Sequence, residues 1–182
     1  METETMTVKK ILLVEDDPDD VKLTLAGLAE NNLTDKVAVV RDGAEALDYL
    51  YRRGKFKMRG GGAPILVLLD LKMPKVNGLE VLKIIKADER LKLIPVVVLS
   101  SSRETPDLVE CYKHGVNAYV VKPVDFAEFI KAVKQLGIFW AAVNEPPPTG
   151  RKDTSIQSGG VIFPGKKEVK NEIPTPHSAS GG

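Results

Sequence analysis

The sequence predicts an α/β fold, a doubly wound five-stranded parallel sheet with helices on both faces. Within residues 8–143, five short apolar runs alternate with segments whose apolar residues recur at helical spacing. The first run shows no alternation of apolar and polar residues, which is typical of a strand covered on both faces. Sheets of five such strands commonly have the order 2-1-3-4-5, which puts strands 1 and 3 side by side at the switch point.

Each strand is predicted from an apolar run, and each helix from apolar residues at i, i+3, i+4 and i+7. The strands are Ile11–Val14, Val37–Val40, Ile65–Leu69, Pro95–Leu99 and Ala118–Val121. The helix after each strand is expected to contribute these residues, in order: Val21, Thr24, Leu25 and Leu28; Ala44, Leu47, Leu50 and Tyr51; Leu79, Leu82, Ile84 and Ile85; Leu108, Cys111 and Tyr112; Phe126, Phe129, Ile130, Val133 and Leu136. The last helix is predicted to continue into Ile138–Trp140.

A basic segment separates the second helix from the third strand. Between Tyr51 and Pro64 the chain carries five Lys or Arg residues, followed by Gly60–Gly62. Connections of this kind usually run about 2–6 residues, so the segment is an insertion. Its charge and glycine content favour a solvated, flexible loop, and a contact surface for an acidic partner is the alternative.

The bulk composition gives no reason to expect a nucleic acid or a membrane as partner. The 182 residues have a formal net charge of +1, and no apolar run approaches the roughly 18 residues of a membrane span. No amphipathic helix follows Trp140 that could complete a helix-turn-helix. Residues Met1–Lys10 contain no signal-peptide core, and the single cysteine, Cys111, fits a reducing compartment. We therefore expect a cytoplasmic protein.

The composition changes at Asn144. Residues 144–182 are punctuated by Pro and Gly, contain few apolar residues and show no periodicity, so a disordered tail is predicted after the domain at 8–143. Its one apolar cluster, Val161–Phe163, would be able to dock on a partner or on the domain itself.

Polar residues follow four of the predicted strands. Strand 1 is followed by Glu15–Asp17, strand 3 by Asp70, strand 4 by Ser100–Ser102 and strand 5 by Lys122. The carboxyl ends of parallel strands meet at one edge, where open α/β sheets keep their sites. The sequence therefore predicts a functional site built from acids, a hydroxyl and a lysine.

These residue types together indicate phosphoryl chemistry. Glu15, Asp16 and Asp70 would repel one another, and hard oxygen ligands with open positions favour Mg²⁺. A carboxylate beside Mg²⁺ can act as a nucleophile toward a phosphoryl group and form an acyl phosphate. Lys122 would neutralise phosphoryl oxygens, and the hydroxyl of Ser100 could donate a hydrogen bond to one of them.

These motifs resemble those of the receiver domains of two-component response regulators, which have the flavodoxin-like strand order 2-1-3-4-5. The resemblance covers about residues 8–143, and its motifs are Leu13–Asp16, Leu68–Pro74 with Gly78, Leu99–Ser101 and Val121–Pro123. It implies that Asp70 accepts a phosphoryl group from a histidine kinase. It also implies that Glu15, Asp16, Asp70 and the backbone carbonyl of Lys72 hold Mg²⁺.

The resemblance implies further roles around the acceptor. Ser100 matches the switch hydroxyl and Lys122 the phosphate-binding lysine, and Ser101 lies beside the switch position in the same motif. Pro123 is expected to follow a cis peptide bond, and Tyr119 matches the aromatic residue that rotates inward on activation. Ser100 replaces the more frequent Thr, which keeps the hydroxyl and loses a methyl group.

The basic insertion and the absence of a recognisable output domain indicate a smaller group of regulators within this family. They fit the stand-alone regulators paired with bacterial phytochromes and similar sensor kinases, in which the face made by helix 4, strand 5 and helix 5 often pairs two chains. The residues expected on this face are Tyr119, Phe129, Phe139 and Trp140. For Phe139 and Trp140, packing against the body of the domain is the alternative.

Two other functions are weighed against this one. A phosphatase with Asp70 as its nucleophile would need an acid two residues later to protonate the leaving group, and Lys72 stands there. We therefore expect that the protein is not an enzyme, and that its only reactions are the transfer and the hydrolysis of its own phosphoryl group. A receiver-like adaptor that works without phosphorylation is the alternative, although such a module would be expected to lack the acceptor or the lysine.

Overall fold

The computed structural model describes residues 11–147, and within this range it contains one five-stranded parallel sheet. The strands are β1 (Ile11–Val14), β2 (Val37–Val40), β3 (Leu66–Leu69), β4 (Val96–Ser100) and β5 (Ala118–Val121). Their order is β2-β1-β3-β4-β5, and every pairing is parallel. The predicted fold class and strand order are therefore confirmed. Residues 148–182 of the predicted tail lie outside the described range, as do residues 8–10 of the predicted domain.

A helix follows each strand. The helices are α1 (Pro18–Ala29), α2 (Gly43–Tyr51), α3 (Gly78–Ala87), α4 (Thr105–Lys113) and α5 (Phe126–Ile138), with 3₁₀ turns at Thr34–Lys36 and Gly54–Phe56. The last helix continues as a π-helical turn at Phe139–Val143, which confirms its predicted extension. Four of the five begin at a side-chain cap, because Asp17, Asp42, Asn77 and Asp125 accept backbone N–H groups of the first turn. None of the helices within residues 11–147 is long and apolar enough to cross a bilayer.

The sheet is covered on both faces. Leu12 and Val14 pack on the face covered by α2, α3 and α4, whereas Ile11 and Leu13 pack on the face covered by α1 and α5. All four side chains are fully buried. This burial on both sides explains why the run of β1 is apolar at every position.

Four of the predicted helix residues lie on the surface, and the least exposed of them is Leu108, at 37%. Ile84 is 38% exposed and Tyr112 is 54% exposed, whereas their neighbours Ile85 and Cys111 are buried. Adjacent residues on an α-helix point about 100° apart, so both members of such a pair cannot face the sheet. Phe126, the first residue of α5, is 69% exposed.

The basic segment between α2 and β3 folds against α2. The Arg59 guanidinium lies 4.2 Å from the centroid of the Tyr49 ring and donates hydrogen bonds to the carbonyl oxygens of Tyr49 and Gly62. Phe56 packs edge-on against Tyr49, with ring centroids 5.1 Å apart. Arg52, in the left-handed conformation, ends α2. Phe56 and Arg59 are therefore half-buried, against the prediction of a solvated loop, whereas the other four basic residues of the segment are exposed, as predicted.

Candidate functional site

Three carboxylates converge at the carboxyl ends of β1 and β3. These strands are hydrogen-bonded neighbours in which Val14 is in register with Leu69, so the residues that follow them lie side by side. Oxygen atoms of Glu15, Asp16 and Asp70 all lie within 4.8 Å of one another. Glu15 and Asp70 are buried and Asp16 is exposed. The structure thus brings together the three acids that the sequence proposed as metal ligands.

Burial disfavours ionisation of the two inner acids. It raises the pKa of Glu15, and the hydrogen bond and charge of Lys122 offset this effect only in part. Burial also raises the pKa of Asp70, again against the opposing charge of Lys122. The site therefore favours additional positive charge beyond the one lysine.

Lys122 lies at the centre of the acids. Its Nζ atom is 2.7 Å from Glu15 Oε2, 2.6 Å from Asp20 Oδ2 and 3.5 Å from Asp70 Oδ1. Burial by itself would lower the pKa of Lys122, but the hydrogen bonds to Asp20 and Glu15 and the charge of Asp70 outweigh it and raise this pKa. The lysine is therefore charged at neutral pH, as the predicted phosphate-binding role requires.

Asp20 is the site residue that the sequence did not single out. It lies in the first turn of α1, where acidic residues are common because they suit the positive end of a helix. Asp19, the preceding residue, pairs instead with Lys22, whose Nζ is 2.8 Å from Asp19 Oδ1. Both acids satisfy the same local preference, so no local signal in the sequence separates them.

The backbone around Asp70 is closely held. Asp70 Oδ2 accepts a hydrogen bond from the backbone N–H of Lys72 at 3.2 Å, and the backbone N–H of Gly78 donates to the carbonyl of Leu71. A Cβ atom added at Gly78 would lie 2.1 Å from the carbonyl oxygen of Asp70. The start of α3 thus lies against the backbone of Asp70. The predicted metal-binding role of the Lys72 carbonyl stays a prediction.

A hydrogen-bonded cluster follows β4. Ser100 is fully buried, and its Oγ accepts the backbone N–H of Ser102 at 3.1 Å. The hydroxyl of Tyr119 donates to the carbonyl oxygen of Ser102 at 3.1 Å, and the Ser102 hydroxyl hydrogen-bonds to Asp107 at 2.7 Å. The predicted switch residues Ser100 and Tyr119 are therefore linked through one backbone segment. Ser101 is exposed, and its phosphate-binding role stays a prediction.

The peptide bond between Lys122 and Pro123 is trans, so the prediction of a cis proline is wrong. A trans X–Pro bond is intrinsically favoured by about 0.5–1 kcal/mol. The trans bond leaves Lys122 within reach of all three of its acidic partners.

Phe129 does not belong to the predicted dimer face. It is 2% exposed and packs with Val133 in the core between the sheet and helices α1 and α5. Residues four positions apart share one side of a helix, and here that side faces the sheet. Phe139 is 47% exposed, whereas Trp140 is half-buried and packs against the same core.

The comparisons with known proteins agree with this geometry. Residues 11–134 match the family model described as "Response regulator receiver domain". The chain is 41% identical over 139 residues to the "Probable methanogenesis regulatory protein FilR2" of Methanothrix harundinacea, covering 75% of this chain and 86% of the relative. It is 36% identical over 140 residues to the response regulator Rcp1 of Synechocystis sp., covering 77% of this chain and 94% of the relative.

Solved structures include similar chains. The phosphorylated cyanobacterial phytochrome response regulator RcpA has a TM-score of 0.72 and 41% identity, covering 77% of this chain and 99% of RcpA. The Mn(2+)-bound form of Rcp1 has a TM-score of 0.70 and 35% identity, covering 77% of this chain and 99% of Rcp1. The bacteriophytochrome response regulator RtBRR has a TM-score of 0.63 and 58% identity, covering 78% of this chain and 86% of RtBRR. With the family model matched over residues 11–134, this chain belongs to the response regulator receiver domain family.

Proposed function

We propose that this protein is a response regulator whose Asp70 accepts a phosphoryl group from a sensor histidine kinase in a Mg²⁺-dependent reaction. The observation that carries the proposal is the cluster around Asp70. A buried carboxylate at the end of β3 lies among two further acids and 3.5 Å from a charged lysine. This arrangement supplies a nucleophile, a cation site and a positive charge for phosphoryl oxygens.

Glu15, Asp16 and Asp70 are the residues that would hold Mg²⁺, with the backbone carbonyl of Lys72 as a further ligand. The donor set fits the ion, because all three side chains offer hard oxygen atoms within 4.8 Å of one another. The raised pKa values of Glu15 and Asp70 also fit, since a divalent cation would favour their charged forms. When bound, the ion would neutralise charge on the carboxylates and on the incoming phosphoryl group.

The residues of the chain perform the transfer as follows. An ionised oxygen of Asp70 attacks phosphorus, the P–N bond to the kinase histidine breaks, and its electron pair returns to the histidine nitrogen. Lys122 and the Ser100 hydroxyl donate hydrogen bonds to phosphoryl oxygens. Water later hydrolyses the acyl phosphate to inorganic phosphate and the carboxylate of Asp70. While Asp70 carries the phosphoryl group, the hydrogen bonds that join Ser100 and Tyr119 through the Ser102 backbone transmit the structural change from the site to the protein surface.

A phytochrome-type sensor kinase is the partner we propose. The support is similarity to RcpA and RtBRR, which are described as phytochrome and bacteriophytochrome response regulators. The location we propose is cytoplasmic, because a single cysteine, Cys111, fits a reducing compartment.

A homodimer through the face made by α4, β5 and α5 is part of the proposal. Phe139 at the end of α5 and Tyr112 on α4 are exposed aromatic residues on these elements and are available for contact. Replacing Phe139 with Asp should shift the protein toward a smaller species on a sizing column. An unchanged elution volume for a dimeric parent would count against this face.

Phosphate incorporation from acetyl phosphate tests the central claim. The samples are the parent protein, Asp70→Asn and the control Asp35→Asn, which changes an exposed acid outside the acid cluster. Each is incubated with acetyl phosphate and either Mg²⁺ or a chelator, and its mass is measured by intact mass spectrometry. We expect one added phosphoryl group in the parent and the control with Mg²⁺, and none in Asp70→Asn or with chelator. A parent that gains no mass would favour the phosphorylation-independent adaptor.

A further inference from the structure

Lys122 has an acidic partner that the proposed function does not use. Its contact with Asp20, at 2.6 Å, is shorter than its contacts with Glu15 and Asp70, at 2.7 Å and 3.5 Å. Asp20 is not a member of the group of acids whose oxygens lie within 4.8 Å of one another. Its contact with the lysine is therefore separate from the proposed metal site.

Glu15 and Asp20, the two acids closest to the ammonium, differ in their other contacts. Glu15 would bind both a metal ion and the lysine, whereas Asp20 would contact the lysine without binding the metal. An ammonium group has three N–H donors and no acceptor. Glu15 and Asp20 occupy two of them, which leaves one for an oxygen of Asp70 or of a phosphoryl group bound to it.

Asp20 is itself held in place. Its backbone N–H donates to Asp17 Oδ1 at 3.1 Å, which caps the first turn of α1. Lysine by contrast has a flexible four-carbon side chain whose ordering costs conformational entropy. A carboxylate carried on this capped turn, 2.6 Å from the ammonium, would reduce the number of positions that the ammonium samples.

We propose that Asp20 is a positioning residue that holds the Lys122 ammonium so that one N–H stays available to the phosphoryl group on Asp70. This inference rests on the proposed function. Without Asp20, the ammonium would spend part of its time turned toward solvent. In fewer molecules would it then lie beside Asp70 when negative charge develops on the phosphoryl oxygens.

The test measures initial rates of phosphoryl incorporation over a range of acetyl phosphate concentrations at saturating Mg²⁺. Asp20→Asn is expected to lower the maximal rate about tenfold, the size expected for a charge-assisted hydrogen bond, while the half-saturating donor concentration stays near the parent value. Asp20→Glu keeps a carboxylate and should recover most of the rate. Asp19→Asn is the matched control, because it removes the same charge one position earlier from a side chain that pairs with Lys22.

Binding of Mn²⁺, followed by electron paramagnetic resonance, separates positioning from metal binding. Asp20→Asn should keep the parent affinity within about twofold, because Asp20 lies outside the acid group, whereas a tenfold loss would assign Asp20 to the metal site and overturn the inference. A parent-like rate in Asp20→Asn, an equal loss in Asp19→Asn, or an Asp20→Glu variant as slow as Asp20→Asn would also overturn it. A parent that takes no label would instead refute the proposed function, and this inference with it.

Discussion

Gly78 at the start of α3 is the position where the smallest substitution should have the largest effect on Asp70. A Cβ atom there would lie 2.1 Å from the carbonyl oxygen of Asp70 and 2.8 Å from the Cα atom of Leu71. Ordinary contacts between heavy atoms lie near 3.5 Å, so Gly78→Ala must open this contact by about 1 Å or more. Both neighbouring atoms belong to the backbone and cannot rotate away, so either the backbone of Asp70 and Leu71 or the start of α3 has to move.

The expected magnitudes follow from this displacement. Overpacking costs about 1–3 kcal/mol, and the better helix propensity of Ala returns about 1 kcal/mol of that, so the free energy of unfolding should fall by at most about 2 kcal/mol. The protein should therefore stay folded. A displacement of about 1 Å in a reacting group can lower a rate about 10²-fold, and we expect a loss of this size in phosphoryl incorporation.

The assay compares labelling by acetyl phosphate with urea unfolding of the same samples. Gly62→Ala is the control, because a Cβ atom there would have no heavy atom within 4 Å and should change neither measurement. A Gly78→Ala variant that is labelled at the parent rate would refute the reasoning. It would show that α3 moves away and leaves Asp70 in place.

Three further outcomes are expected. Because burial raises the pKa of Asp70, ionisation costs stability in the metal-free protein as pH rises through that raised value; Asp70→Asn should be more resistant to urea than the parent at pH 7, and the difference should vanish below about pH 4. An equal or lower stability of the variant at pH 7 would contradict this. Mg²⁺ at about 100 times its dissociation constant should stabilise the parent by about 2.7 kcal/mol, chelator should reverse the effect, and Asp16→Asn should show much less of it. Arg59→Ala should lower the free energy of unfolding by about 1 kcal/mol and speed chymotryptic cleavage after Tyr49, because it removes the guanidinium that lies over the Tyr49 ring. Lys57→Ala, an exposed control, should do neither.

Local physical chemistry is sufficient for the fold class and for most of the site. An apolar run without alternation indicates a strand covered on both faces, and the parallel order then places every strand end at one edge. The sequence positions of Glu15, Asp70 and Lys122 just after such runs were therefore enough to predict that they meet, whereas the contact of the Ser100 hydroxyl with a phosphoryl group stays a prediction. The residues that follow β1, β3 and β5 lie together as expected.

The tertiary structure alone decided which neighbours those residues choose. Asp19 and Asp20 suit the first turn of a helix equally well. In the structure, however, Asp20 contacts Lys122, a residue 102 positions away in the chain, whereas Asp19 contacts Lys22. Phe129 and Phe139 are equally apolar, yet the position of α5 over the sheet buries the first and leaves the second exposed. Likewise, the composition of the basic segment favours a solvated loop, but the folded chain places the Tyr49 ring next to the Arg59 guanidinium.

The reason is that such choices depend on contacts between distant parts of the chain. Capping, periodicity and burial pattern act over a few residues and can be recognised in the sequence. The partner of an ammonium or a guanidinium is selected by which groups the packed helices bring within about 3–4 Å. For this chain, the sequence by itself determined the fold class and the meeting of Glu15, Asp16 and Asp70 with Lys122. The position of α1, which packs against α5, decided that Asp20 also contacts Lys122.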